Sequence, residues 1–76
     1  MTSENFDWIL RELQETKPFH IFTVELNGGR RFKVDHPNAL VVRDGVAVFV
    51  APGGGPVLFD HESINQVIVA PANTSL

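Results

Sequence analysis

The residues of this chain that could carry out chemistry are three histidines, nine carboxylates and a serine beside a glutamate. His20, His36 and His61 lie far apart, and none has the H-x-H or H-x-x-x-H spacing of paired metal ligands. Asp35 precedes His36 and Asp60 precedes His61. Because neighbouring strand residues point to opposite sides, neither pair can simply bind one metal ion together. We therefore expect no metal, and we interpret His36 and His61 as corner residues whose rings bond nearby backbone.

Nucleophilic and phosphate-binding motifs are also incomplete. Ser63 follows Glu62, but it has neither a nucleophile elbow nor a histidine at a defined spacing. Gly53-Gly54-Gly55 is followed by an apolar strand pattern and not by Lys-Ser/Thr and a helix, as a phosphate loop requires. There is no cysteine, which excludes thiolate chemistry. The sequence predicts a protein that is not an enzyme and has no cofactor.

The charge balance bears on nucleic-acid binding. Six Lys and Arg residues stand against nine Asp and Glu residues, and the net charge of −3 opposes general polyanion binding. A local basic patch remains a candidate on the outer strand surface: Arg30, Arg31, Lys33 and Arg43. The alternative is an ordinary solvated strand face, which the lack of interleaved aromatic residues favours.

The N-terminal residues and the apolar stretches bear on the cellular location of the protein. The first ten residues have no basic segment ahead of an apolar run, so we expect no secretory signal. The longest apolar stretch, Val46 to Ala51, is too short to span a bilayer. We expect a soluble, cytoplasmic protein with no membrane partner.

The N-terminal segment has the pattern of a helix. Apolar residues recur at i, i+3, i+4 and i+7, on one helical face: Phe6, Ile9, Leu10 and Leu13. This pattern predicts a helix over about residues 4–16, with Ser3 as N-cap and Pro18 beyond its end. Trp8 points away from the apolar stripe, so it contacts either another molecule or a loop folded over it.

After residue 19 the apolar period changes to two, which predicts strands. Turn residues separate them at three places: Asn27-Gly28-Gly29, His36-Pro37-Asn38 and Arg43-Asp44-Gly45. We predict that Val46–Val50 is buried on both faces. The chain is then one domain over residues 1–70, with a disordered tail at 71–76. Its fold class is mainly β: the N-terminal helix precedes a five-stranded, strongly bent antiparallel sheet closing into a small barrel over about 19–70.

This order resembles that of Sm-like proteins, and the nearest likeness is to the bacterial Hfq-like group. The segment LFDHESINQVIVAP, Leu58 to Pro71, is similar to the signature that closes the Hfq-like barrel. Phe59, His61, Ile64 and the stretch from Val67 match it by position. The stretch PFHIFTVELNGGRRFKVDHP also resembles a group of short, uncharacterised bacterial proteins, from which no activity can be transferred.

The resemblance implies an RNA-binding site, and this sequence departs from the family's site at two positions. In Hfq-like proteins the closing histidine lines a uridine-binding pore, so His61 becomes a candidate RNA ligand, and Asn38 stands near a second polar position. Asp60 stands where the family has lysine, and Leu40 where it has a base-stacking aromatic residue. A ring would bring the Asp60 carboxylates together and so oppose phosphate.

The final strand pattern predicts self-association. Val67-Ile68-Val69 carries no charge, and an open apolar edge of this kind promotes aggregation unless another strand pairs with it. The predicted homo-oligomer interface comprises Val57, Phe59, Val67, Ile68, Val69 and Trp8. Two hypotheses follow: a non-enzymatic Sm-like ring formed by edge-strand pairing, with RNA as candidate ligand, or an oligomeric protein–protein interaction or regulatory module without nucleic acid.

Overall fold

The computed structural model describes residues 1–51 and 53–69, which form one helix and six strands. In chain order they are α1 (Ser3–Glu15), β1 (Phe22–Leu26), β2 (Arg31–Val34), β3 (Leu40–Arg43), β4 (Val46–Val50), β5 (Pro56–Asp60) and β6 (Ile64–Val69). The tail predicted at 71–76 lies outside the described residues.

The strands form two antiparallel sheets of three strands each. The first sheet has the order β2-β1-β6, and the second has the order β3-β4-β5. The prediction of one five-stranded sheet closing into a barrel is therefore wrong. The bend at 35–39 separates β2 from β3, and Pro37 within it has no N–H for a ladder. As a result, what was predicted as one bent strand contributes to two sheets.

Helix α1 begins one residue earlier than predicted and uses a different cap. The Thr2 hydroxyl accepts a hydrogen bond of 3.1 Å from the backbone N–H of Asn5, so Thr2 and not Ser3 is the N-cap. Phe6 and Leu10 are fully buried, as their spacing predicted. The 13 residues of α1 are amphipathic, and no helix among the described residues is long and apolar enough to cross a membrane.

An aromatic cluster joins the helix to both sheets. The rings of Phe6 and Phe59 meet edge to face with centroids 5.7 Å apart, and Phe32 stacks on Phe49 at 4.7 Å. Phe32 also contacts Phe59, with 5.2 Å between the ring centroids. Such pairs add to the free energy gained by burying the rings. The core is completed by buried aliphatic side chains from the helix and from five of the six strands: Leu10, Val24, Val34, Leu40, Ala47 and Ile64.

Strand β4 is buried on one face only, contrary to the prediction. Ala47 and Phe49 point into the core, whereas Val46 and Val50 are 45% and 56% exposed. The core covers one side of the second sheet, and its other side faces solvent, as is common for antiparallel sheets. An apolar strand sequence therefore contributes an apolar surface.

Candidate functional site

His61 holds the N-terminus against two turns. Its backbone N–H donates to the carbonyl oxygen of Gly45 at 2.8 Å, and its Nδ1 lies 2.9 Å from the carbonyl oxygen of Met1. Because a carbonyl oxygen can only accept, Nδ1 carries the proton in this contact. These bonds agree with the interpretation of His61 as a corner histidine bonded to backbone.

Asp60 closes the turn between β5 and β6. Its carboxylate accepts hydrogen bonds from the backbone N–H groups of Glu62 and Ser63, at 3.2 and 3.0 Å. The Ser63 hydroxyl donates to the Asp60 carbonyl and accepts from the Asp60 N–H. Hydrogen bonding from Ser63, with a smaller contribution from Glu62, lowers the pKa of the Asp60 carboxyl below its usual value. Asp60 is therefore an ionised part of the turn.

The two residues that the resemblance assigned to RNA binding lie apart within the chain. His61 is beside the start of α1, whereas Asn38 lies in the β2–β3 turn near its end, and α1 is roughly 20 Å long. Asn38 lines a groove of about 530 Å³ together with Arg11, Gln14, Glu15, Lys17, Pro37 and Leu40. One chain does not bring His61 and Asn38 into a common site.

The predicted basic patch is divided between the sheets. Arg31 and Lys33 lie on β2 of the first sheet, Arg30 immediately precedes β2, and Arg43 lies on β3 of the second sheet. The Nε of Arg31 donates to Glu25 Oε2 at 3.0 Å, and the Nε of Arg43 lies 3.8 Å from Asp44 Oδ2, so two of the four cations have a carboxylate partner. Arg30 and Lys33 remain exposed to solvent.

A polar cluster around Glu25 was not found by sequence reasoning. Glu25 is only 8% exposed, and its carboxylate accepts hydrogen bonds from the side chains of Gln66, Arg31 and Asn65. These bonds, with that from Gln66 the largest cause, lower the pKa of Glu25. These partners lie on the two neighbouring strands and are distant in sequence, so no local pattern points to the cluster. Its one trace in the sequence is a charged residue, Glu25, within an otherwise apolar strand.

Helix α1 closes the outer edge of β3. Three polar side chains at i, i+4 and i+7 make the bonds: Asp7 accepts from Gly45 N–H at 2.8 Å, Arg11 donates to Val42 O at 3.0 Å, and Gln14 accepts from Leu40 N–H at 3.0 Å. The Leu40 N–H and the Val42 carbonyl lie on the outer side of β3 and would otherwise be open to another strand. Among the described strands of the second sheet, β5 is therefore the remaining free edge.

The predicted interface residues differ in exposure. Phe59 is 5% exposed and lies in the core, where its side chain is occupied by Phe6 and Phe32. Val57 and Val67 are partly buried against the core. Trp8, Ile68 and Val69 are exposed, at 64%, 42% and 44%.

The outer side of the second sheet is an extended apolar surface. We call it the valine face, and it comprises Val41, Val46, Val48, Val50 and Leu58. Val41, Val48 and Leu58 are directly opposite one another in the strand register, and Val41 and Leu58 are 65% and 67% exposed. Sequence reasoning missed this face because it took the most apolar strand to be buried on both sides.

Two opposite charges border the valine face. Arg43, Val46 and Asp60 share one row of the register, so the arginine and the aspartate lie on the two outer strands. Beside Asp60 there is a shallow groove of about 320 Å³, lined by Val46, Leu58, Phe59, Asp60 and Ser63. In this row the valine face thus has an apolar residue at its centre, a positive charge on β3 and a negative charge on β5.

Comparisons with known proteins do not identify the chain. No protein-family model matches it, and no curated protein or solved structure is significantly similar to it. Across the described residues, no group of three or more His, Cys, Asp or Glu side chains is placed to hold a metal ion. The Hfq-like resemblance therefore stays a prediction, and function has to be argued from the surfaces.

Proposed function

We propose that this protein is a non-catalytic assembly module that binds a second copy of itself through the valine face. The observation that carries the proposal is a continuous row of aliphatic side chains on one side of the sheet, in which Val41 and Leu58 are exposed and flank the half-buried Val48. Contiguous apolar patches on a small protein mark interaction sites more often than scattered apolar residues do.

The energetics favour a weak dimer. Fully burying an exposed Val or Leu contributes about 1.5–3 kcal/mol, so the half-exposed side chains of this face contribute roughly 1 kcal/mol each. Val41, Val46, Val50 and Leu58 of two copies then supply about 8 kcal/mol. Association costs about 4–15 kcal/mol, so this face alone supports a concentration-dependent dimer and not a permanent one.

The charges at the margins favour a second copy as the occupant. A two-fold axis along β4 places β3 of one copy over β5 of the other. Arg43 then faces Asp60 of the second copy, and the symmetry creates this pair twice. Val48 meets its own counterpart at the centre. Complementary charges of this kind fix the orientation of an interface more than they add affinity.

Self-association can be tested by analytical ultracentrifugation from micromolar to millimolar concentration. Leu58→Lys places a charge in the middle of the valine face, so we expect it to weaken the dimer strongly. Ile21→Lys is the control, because Ile21 is also an exposed aliphatic residue, at 42%, but precedes β1 and lies outside the valine face. A wild-type chain that stays monomeric at millimolar concentration would refute the proposal, and so would equal effects of the two variants.

RNA binding is the second candidate function, supported by the exposed Arg30 and Lys33 on the first sheet. Labelled U-rich and A-rich oligonucleotides, titrated at two salt concentrations, test it. Binding that weakens steeply with salt and is lost in Lys33→Glu would support this function. Binding that is unchanged in Lys33→Glu, or undetectable at low salt, would exclude this surface.

A further inference from the structure

The two sheets differ in which strand edges are open. In an antiparallel pair, successive residues direct their backbone N–H and C=O groups alternately toward and away from the partner strand. The bond from His61 N–H to Gly45 O shows that Phe59 and Val57 point toward β4. The backbone groups on the free side of β5 therefore belong to Pro56, Leu58 and Asp60.

The free side of β5 is largely blocked. Pro56 has no N–H. The N–H and the carbonyl of Asp60 are both bonded to Ser63. Leu58 alone has a backbone N–H on this side of the strand that no described residue occupies. Because α1 closes the β3 edge as well, the second sheet has few free backbone hydrogen-bonding groups for an added strand.

The free side of β6 is open. The bond from Leu26 N–H to Arg30 O means that Thr23 and Glu25 point toward β6. Their register partners, Ile68 and Gln66, therefore point toward β1. It follows that Val67 and Val69 direct their N–H and C=O groups outward, where no residue among those described pairs with them. Ile64–Val69 contains neither a proline nor a charge, the usual devices that protect an edge.

The remaining edge, that of β2, is protected by charge. Its outward backbone groups belong to Arg31 and Lys33, which alternate with the residues paired to β1. Self-pairing there would bring like charges together, which destabilises a cross-strand pair. Among the described strands, β6 is thus the edge best suited to pairing with another chain.

We propose that β6 pairs antiparallel with β6 of a second copy, across a two-fold axis at Ile68. In this register Val67 of one copy exchanges both N–H···O bonds with Val69 of the other, and the symmetry repeats the exchange. The two first sheets become one continuous sheet. This contact uses a different surface from the valine face and goes beyond the proposed function.

The side chains support this register. Ile68, 42% exposed, meets its own counterpart as a non-hydrogen-bonded pair, in which the Cα atoms are about 4.5 Å apart. Val67 and Val69 meet on the opposite side, so the new cross-strand pairs formed between described residues are all aliphatic. An axis at Val67 instead would set Ile68 against Gln66, whose amide is already bonded to Glu25. The axis at Ile68 therefore buries more apolar surface.

A single cysteine tests the register directly, because the natural chain has none. Cα atoms about 4.5 Å apart are within disulfide reach, so Ile68→Cys should form a covalent dimer under mild oxidation. Ile21→Cys is the control, since Ile21 is equally exposed at 42% but lies outside β6. Cross-linking of Ile68→Cys no faster than that of Ile21→Cys would overturn the proposed register.

A charge exchange tests the symmetry. Leu58→Lys is included in every sample, so that the valine face cannot contribute. Native mass spectrometry should then show no dimer for Ile68→Lys or for Ile68→Glu alone, because the two-fold axis brings like charges together. In an equimolar mixture the opposite charges attract, so a heterodimer of the two variants should form. Failure of the mixture to recover it, or a Leu58→Lys chain that is already monomeric at millimolar concentration, would refute the β6 contact without bearing on the valine face.

Discussion

The carboxylate of Asp7 on α1 accepts a hydrogen bond of 2.8 Å from the backbone N–H of Gly45 in the β3–β4 turn. Gly45 is buried, and its carbonyl in turn accepts from the N–H of His61. One glycine residue therefore joins the helix, the second sheet and the turn that leads into β6. This junction holds the C-terminal strand in place relative to the helix.

Removing the Asp7 carboxylate should destabilise the fold. In Asp7→Ala the buried Gly45 N–H loses its acceptor, which costs about 1–3 kcal/mol. The comparison is Glu4→Ala, because the Glu4 carboxylate is exposed and bonds the neighbouring Ser3 hydroxyl. Urea unfolding followed by circular dichroism gives both free energies. Equal losses in the two variants would show that the Asp7 bond is not important for stability.

Gly45 should tolerate alanine much less well than Gly28. Both have positive φ, +80° and +94°, where a Cβ costs about 1–2 kcal/mol. At Gly45 the Cβ would also lie 2.8 Å from His61 Cδ2 and 2.8 Å from Ser3 Cβ, whereas nothing lies within 4 Å at Gly28. We expect Gly45→Ala to lose about 1–3 kcal/mol more than Gly28→Ala in the free energy of unfolding. Similar losses would contradict the packing of His61 against this turn.

Truncation of two neighbouring residues on β5 should change the stability to very different degrees. Phe59→Ala removes a ring packed against Phe6 and Phe32, which costs about 3–5 kcal/mol. Leu58 is 67% exposed, so Leu58→Ala should change the stability of the monomer by about 0.5 kcal/mol or less. Thermal or urea unfolding at low micromolar concentration measures both. A large loss for Leu58→Ala there would mean that the valine face is covered within one chain.

The stability should fall in acid partly through Glu25. Hydrogen bonds from Gln66, Arg31 and Asn65 lower its pKa in the folded state below the ordinary value of 4.5. Its contribution is therefore fully present above pH 4.5 and is lost as the pH falls through the lowered pKa. Glu25→Gln should have a shallower decline of the unfolding free energy in this range. Some slope will persist, because the pKa of Asp60 is lowered as well.

A series of urea titrations from neutral pH down to acid measures the Glu25 effect. Asp35→Asn is a suitable comparison, because Asp35 is an exposed residue beyond the end of β2. Glu25→Gln should differ from the wild type in this series by more than Asp35→Asn does. If Glu25→Gln instead matches the wild type, then the cluster around Glu25 does not hold its charge in the folded protein.

Local pattern was sufficient for the helix and for the hairpin turns. The apolar spacing of Phe6, Leu10 and Leu13 predicted α1 to within one residue at each end, because helical periodicity is a property of neighbouring residues. The Asp44-Gly45 turn has positive φ at both positions, as its residue types favour. The N-cap was assigned to Ser3 and not Thr2, since adjacent hydroxyl residues are equivalent in sequence.

The division into two sheets, by contrast, depended on contacts between distant residues. The sequence by itself determined which residues of each strand share a side, since alternation follows from backbone geometry. Only the tertiary structure decided which sides are covered: the core and α1 bury Ala47 and Phe49 and leave Val46 and Val50 in solvent. Likewise, Glu25 meets partners about forty residues away across the β1–β6 pairing, which no local pattern records. Burial depends on what packs against a strand, so the valine face became visible only in three dimensions. The apolar Val67–Val69 edge was predicted from the sequence, but only the pairing of β6 with β1 decided which of its backbone groups are open.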